Sequence, residues 1–182
     1  MRILVVYASK YGATKGIAER IVETLNRSGH DALLAPAKNP GDLTGYDAFV
    51  IGSAAYMFSW LKEAGDFVRR NADLLKTKPV WLFSSGPIGT ARVDEQGRDV
   101  LESTQPKEFA EFHELIQPRG TRVFFGAFDH TRLTPVHKLV YAMPAMKKVM
   151  VDGDYRDWDD IESWARAIAS ALVPSVAAAV RE

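Results

Sequence analysis

Ile3-Leu4-Val5-Val6-Tyr7-Ala8-Ser9-Lys10-Tyr11-Gly12-Ala13-Thr14 lies almost at the start of the chain. Its first six residues form an apolar run without alternation, the pattern of a strand buried on both faces of a parallel sheet. Ile17, Ala18, Ile21, Val22 and Leu25 then recur at helical spacing. A turn of small and hydroxyl residues joins the two. Such a turn leaves backbone N–H groups without helical partners and lies at the positive end of the helix dipole, and together these attract anions. Ser9 and Thr14 add hydroxyls, and Gly12 permits close backbone approach or a positive φ. The loop holds no Arg, and Lys10 is its only charge. A phosphate bound by Ser9, Lys10, Tyr11, Gly12, Ala13 and Thr14 is therefore held mostly by neutral donors. The competing reading is a ligand-free βα turn with Thr14 near the helix cap.

Further apolar runs follow at residues 30–35, 48–52, 79–83 and 123–128. Helical patterns alternate with them: Leu61, Ala64, Phe67 and Val68 with Ser59 as cap, residues 108–116, residues 133–149, and a last helix capped by Asp157 with Ile161, Trp164, Ala165, Ile168 and Leu172 on its core face. Apolar strands alternating with helices predict a parallel sheet covered on both faces. The expected fold is α/β, a three-layer sandwich whose five-stranded parallel sheet has the order 2-1-3-4-5. Residues 1–182 read as a single domain. Sheets of this order bind ligands beyond the strand carboxyl ends, near the switch between strands one and three.

That rule directs attention to two more loops. After strand three come Ser53, Ala54, Ala55, Tyr56, Met57, Phe58, Ser59 and Trp60. Small residues come first, where a backbone can approach a flat ring, and aromatics follow to wall it. Tyr56, Phe58 and Trp60 can supply that wall, with Tyr56 the expected ring contact; Phe58 and Trp60 can instead staple the next helix to the core, and for Trp60 the two roles weigh equally. After strand four come Ser84, Ser85, Gly86, Pro87, Ile88 and Gly89, which offer backbone donors to the polar edge of the same ring.

The phosphate loop resembles that of the flavodoxin family, Thr/Ser-x-Thr/Tyr-Gly-x-Thr, matched by Ser9, Tyr11, Gly12 and Thr14. The resemblance implies FMN as cofactor, held by all three loops, and an oxidoreductase or electron-transfer role. The chain is also similar to the menaquinone-dependent protoporphyrinogen IX dehydrogenase family and its flavodoxin-domain relatives. Phe125-Gly126-Ala127, a basic apolar helix, and Asp154-Tyr155-Arg156-Asp157-Trp158 carry that similarity. It implies an apolar, protoporphyrinogen-like donor and a quinone acceptor. The alternative is a flavodoxin-type electron carrier without a substrate of its own, and a third class is a flavin-free α/β interaction module.

Other chemistries are excluded or disfavoured. Arg and Lys balance Asp and Glu at 23 each, so no dominant nucleic-acid surface is expected. There is no Cys, which removes disulfides, thiolate metal sites and a Cys nucleophile. The first loop has one Gly where a nicotinamide Rossmann fingerprint needs three. Ser84-Ser85-Gly86 lacks the hydrolase nucleophile elbow. A receiver domain needs acids where Ala8-Ser9 and Gly52-Ser53 stand. No metal site and no catalytic acid or base is expected, with His130 and His137 read first as solvated surface residues. The apolar tail, residues 167–180, is short and interrupted by Ser170, Pro174 and Ser175, so it is not read as a membrane span. With a strand beginning at once and no signal peptide ahead of it, a cytoplasmic location is expected. Residues 132–150 carry Arg132, Lys138, Lys147 and Lys148 among Leu133, Val136, Leu139, Val140, Tyr141, Met143, Met146, Val149 and Met150, with no acid. A surface of this kind beside the flavin edge suits an apolar substrate, a redox partner or quinone, and peripheral contact with the inner face of a membrane.

Overall fold

The computed structural model describes residues 1–143, 146 and 150–173. Five parallel strands form the sheet: β1 (Arg2–Ala8), β2 (Asp31–Pro36), β3 (Ala48–Tyr56), β5 (Val80–Ser85) and β6 (Gly120–Phe124). Their order is β2-β1-β3-β5-β6, which is 2-1-3-4-5 when the parallel strands alone are counted. The extra label, β4 (Ser59–Trp60), is a short antiparallel strand on the end of β3. One face of the sheet is covered by α1 (Ala13–Arg27) and the C-terminal helix α7 (Trp158–Leu172). The other is covered by α2 (Lys62–Arg70), α3 (Ala72–Leu75) and α5 (Glu108–Ile116), with α4 (Val100–Ser103) before α5. Ile3, Val5, Val50 and Phe83 point to the first layer, and Leu4, Val6, Ile51 and Leu82 to the second. Successive strand residues alternate faces, so burial on both faces is why these strands read as unbroken apolar runs. Asp157 caps α7 as expected, its carboxylate accepting from Asp160 N–H at 3.0 Å.

Three expected boundaries differ, and each difference shapes the end of the sheet where a ligand would bind. Strand β3 does not stop at Gly52. It stays paired through Ser53↔Ser84 and Ala54↔Ser85, so Ser84 and Ser85 are strand residues as well. The side chains shrink there while the ladder continues, because hydroxyls inside the sheet find partners. Ser53 Oγ donates to Ala54 O at 2.9 Å and accepts from Leu61 N–H at 3.1 Å. Ser59 is not a helix cap: it pairs with Tyr56 across a two-residue hairpin, and Leu61 stands at the N-cap without a side-chain bond. The hairpin turns on Met57 and Phe58, both at positive φ (49° and 61°). Such turns favour Asn-Gly, so bulky side chains here sit on costly backbone. Lys107 N–H holds the turn by donating to Phe58 O at 2.9 Å.

The fifth apolar run also breaks. β6 ends at Phe124, and β7 (Ala127–Phe128) leaves the sheet to pair antiparallel with β8 (Gly153–Asp154). Gly126 is the crossing point: its N–H donates to Pro87 O at 2.8 Å and its carbonyl accepts from Tyr155 N–H at 3.1 Å. Of the helical pattern at 133–149, the structure describes α6 (Pro135–Tyr141), preceded by a 3-10 turn, His130–Arg132. Lys147, Lys148 and Val149 lie outside the described residues, as do residues 174–182 of the apolar tail. Among the described residues no helix is long and apolar enough to cross a membrane.

Candidate functional site

The carboxyl ends of β1, β3 and β5 meet at a cavity of about 480 Å³. That is the size range of sites that hold drug-sized ligands. The first loop contributes Ser9, Lys10, Tyr11, Ala13 and Thr14 to its wall; the end of β3 contributes Ala54, Ala55, Tyr56 and Met57; the end of β5 contributes Ser85, Gly86 and Ile88. Three loops far apart in sequence therefore face one space, as the switch-point rule predicts.

Six of the expected residues stand elsewhere, as does Phe58, the other aromatic considered for the ring wall. Gly12 borders a second, adjoining cavity of about 450 Å³ that shares Tyr11 and Ala13 with the first. Ser53 and Ser84 are fully buried within the sheet. Pro87 and Gly89 lie off the cavity wall. Trp60 is buried and packs edge-on against Phe109 and Phe112, with ring centroids 5.6 and 5.5 Å away, so it staples the chain to the core. Phe58 is half exposed at the hairpin tip.

The first loop is shaped for an anion. Gly12 takes φ 94° at the N-cap of α1 and offers no side chain, and the first turn contains no acid. The N–H groups of Ala13, Thr14 and Lys15 therefore have neither helical partners nor a cap. Ser9 Oγ accepts from Gly12 N–H at 3.0 Å, which folds the loop back on itself. Thr14 is buried, and its hydroxyl lies 2.8 Å from that of Ser85, joining the ends of β1 and β5. Two guanidinium groups reach the loop from the last third of the chain: Arg132 donates to Tyr11 O at 3.3 Å and Arg156 to Ala13 O at 3.2 Å. Chain topology thus brings beside this loop two cations that the loop sequence does not contain, each bonded to a backbone carbonyl.

The rest of the cavity is aromatic and apolar. Lys10 Nζ sits 5.7 Å from the ring centres of both Tyr11 and Tyr56, a cation–π placement that fixes the two rings about one ammonium. Burial, and second the neighbouring Tyr11, push the Tyr56 phenol up to about 12, so it remains a neutral hydroxyl donor. Gly126, Ala127, Phe128 and Asp129 also line the wall. They were missed because residues 123–128 read as one strand; an isolated Gly inside a strand pattern is the signal that could have found the break. Leu133, His137, Tyr141, Met146 and Met150 complete the outer side. His137 is not a solvated histidine. Its Nδ1 lies 2.6 Å from Tyr11 Oη and 2.9 Å from Thr134 Oγ1, and its Nε2 is 3.5 Å from Lys10 Nζ.

His130 is exposed, bonded to Asp152 and stacked on Tyr141 with centroids 5.4 Å apart. Asp129, His130 and Asp152 bring ligand-type atoms within 4.8 Å of one another, but local bonds account for all three. Asp129 accepts from Thr131 N–H and Oγ1, at 2.9 and 2.6 Å, and Asp152 from His130 N–H at 2.7 Å.

One end of this site is an uncapped helix N-terminus and the other an apolar and aromatic slot. That polarity fits a flavin mononucleotide, with Ser9 and the N–H groups of residues 13–15 toward phosphate and Tyr56 and Met57 toward the ring. The fold matches solved flavodoxins. A Streptococcus pneumoniae TIGR4 flavodoxin superposes with a TM-score of 0.59 at 17% identity, covering 94% of this chain and 100% of that one. An archaeal flavodoxin gives 0.56 at 18% identity, covering 94% and 98%. The rubredoxin oxygen:oxidoreductase of Desulfovibrio gigas gives 0.62 at 14% identity over 94% of this chain, which spans only 36% of that protein. The model of the flavodoxin domain family matches residues 4–154, and with the fold and the loop geometry in agreement, the chain belongs to that family.

Proposed function

We propose that this chain binds FMN in the cavity at the ends of β1, β3 and β5 and works as an electron-transfer domain. The observation that carries the reading is the convergence of three strand-end segments on one cavity whose phosphate end is the uncapped N-terminus of α1. Members of this family typically bind FMN. Bound there, the isoalloxazine supplies one- and two-electron chemistry. The protein's part is to hold and tune. Ser9 and the free N–H groups of α1 bind the anion, Tyr56 and Met57 wall the ring, and backbone donors at Gly86 and Ile88 stabilise negative charge along the polar edge. Gly12→Val with Thr14→Ala tests the reading. Loss of charge-assisted phosphate bonds costs about 1.5–3 kcal/mol, or one to two decades in FMN affinity by titration. FMN binding as tight as wild type overturns it.

A second reading is supported by the outer wall: an FMN-dependent oxidoreductase that takes electrons from an apolar, protoporphyrinogen-like substrate and passes them to a quinone. Leu133, Tyr141, Met146 and Met150 extend the apolar lining beyond the strand ends. Val136, Leu139 and Met143 are exposed on the same segment, at 71, 75 and 57%. An apolar helix with Lys138 beside it suits peripheral contact with an anionic bilayer, each basic residue adding about 1 kcal/mol near the surface. Arg132 adds less, because its guanidinium is paired with Asp129 at 3.2 Å. The carrier reading leads, since it requires only the cofactor site and the family fold.

A further inference from the structure

We propose that Arg156, with a smaller contribution from Arg132, is a positioning residue that orients the phosphate-binding loop through its backbone carbonyls. The proposal rests on the reading that FMN phosphate binds at this loop. Arg156 borders the second cavity, which shares Tyr11 and Ala13 with the main one, and is absent from the wall of the main cavity. Its side chain is 17% exposed and forms a two-pronged pair with Asp154, Nε to Oδ1 at 2.7 Å and Nη2 to Oδ2 at 2.5 Å. The guanidinium also lies 4.4 Å over the ring of Trp158. The remaining nitrogen, Nη1, donates to Ala13 O at 3.2 Å. Ala13 C=O and Thr14 N–H belong to one planar peptide and point opposite ways. A guanidinium that holds the carbonyl therefore fixes the direction of the Thr14 N–H in the first turn, where a helix frays most easily. Arg132 acts alike one turn earlier: it holds Tyr11 O at 3.3 Å, while Ser9 Oγ holds the N–H of the same peptide at 3.0 Å.

The electrostatics indicate a purpose beyond packing. A cation at a helix N-terminus opposes the dipole, and neither the cap nor the first turn of α1 carries an acid. Asp154 offsets the Arg156 charge, and this guanidinium in turn holds the Asp154 carboxyl below the usual carboxylate range. The arrangement yields a rigid, uncapped and electropositive loop. Gly16 completes it. A Cβ there would overlap Arg156 Nη1, so the helix carries glycine in its second turn where alanine is the better helix former.

The test compares FMN with riboflavin, which lacks the phosphate, on wild type, Arg156→Gln, Arg132→Gln and Gly16→Ala, alongside thermal unfolding of the flavin-free proteins. Arg156→Gln lowers the preference for FMN over riboflavin about tenfold, and Arg132→Gln about threefold, with riboflavin affinity unchanged. Gly16→Ala displaces the guanidinium while favouring the helix, so the unfolding midpoint holds or rises as the FMN preference falls. That opposite movement is the signature of positioning, and it carries the test even where Arg156→Gln fails to fold. A wild-type preference for FMN that survives in both Arg156→Gln and Gly16→Ala, or an equal loss of both flavins, overturns the proposal alone. A wild type with no preference for FMN overturns the cofactor reading beneath it as well.

Discussion

Thr14, Ala54 and Ser85, on the inner wall of the cavity, are between 1 and 8% exposed and are held by strand ladders with helices behind them. The outer wall runs from Asp129 through α6 to Met150, and its lining residues Asp129, His137, Tyr141, Met146 and Met150 are all partly or fully exposed, with Leu133 buried at 8%. At these three positions the inner wall cannot move without disturbing the core. The outer wall is fastened by a few polar bonds, chiefly Tyr11 to His137 at 2.6 Å and Arg132 to Tyr11 O at 3.3 Å. Regions with few buried apolar contacts open at low free energy. One wall is therefore held by the core, and the other can rearrange at little cost to the fold.

The largest effect expected from this contrast comes from the strand core that carries the inner wall. Gly52 pairs with Phe83 across the sheet, and a Cβ on it would overlap the buried Phe83 ring. Gly52→Ala should cost about 3 kcal/mol in chemical denaturation, an overpacking penalty, and flavin affinity should fall with it. Adding Phe83→Leu should recover part of the loss; a Gly52→Ala protein as stable as wild type would show that the inner wall yields. A smaller effect is expected at the fastening of the outer wall. Tyr11→Phe removes the bond to His137 and should speed FMN release about fivefold, the equivalent of about 1 kcal/mol. Unfolding should stay within about 0.5 kcal/mol, since no core contact is lost. An unchanged release rate in stopped-flow displacement would mean that α6 does not retain the cofactor.

The smallest effect on the protein itself is expected on the exposed side of α6. Val136→Ser with Leu139→Ser should leave stability within about 0.5 kcal/mol and FMN binding untouched. The same pair, or Lys138→Glu, should weaken co-sedimentation with anionic vesicles and slow quinone reduction by the photoreduced protein. Wild type that neither sediments nor reduces quinone removes the second reading and leaves the carrier.

The inner wall was legible because its signals are local. An apolar run followed by Ser9 to Thr14 and a helical repeat constrains strand, turn and helix within a few residues. Tyr56 reads as a ring contact from the order of small and aromatic residues alone. Trp60 did not read uniquely, because its partners, Phe109 and Phe112, lie about fifty residues away. Strand β3 read too short for a related reason. Ser53 and Ala54 look like loop residues until Ser84 and Ser85 are placed beside them.

By itself the sequence determined the α/β sandwich and the strand order, because burial on both faces forces apolar strands and leaves helices to cover them. It also determined which three segments face the cavity at the strand ends. The tertiary structure alone decided that Arg132, Arg156 and His137 surround the first loop, because contacts between residues more than 120 positions apart leave no periodic trace. It alone decided that residues 123–128 split at Gly126. What breaks that strand is the crossing of the chain at Pro87 and Tyr155, and neither partner is visible from the run itself.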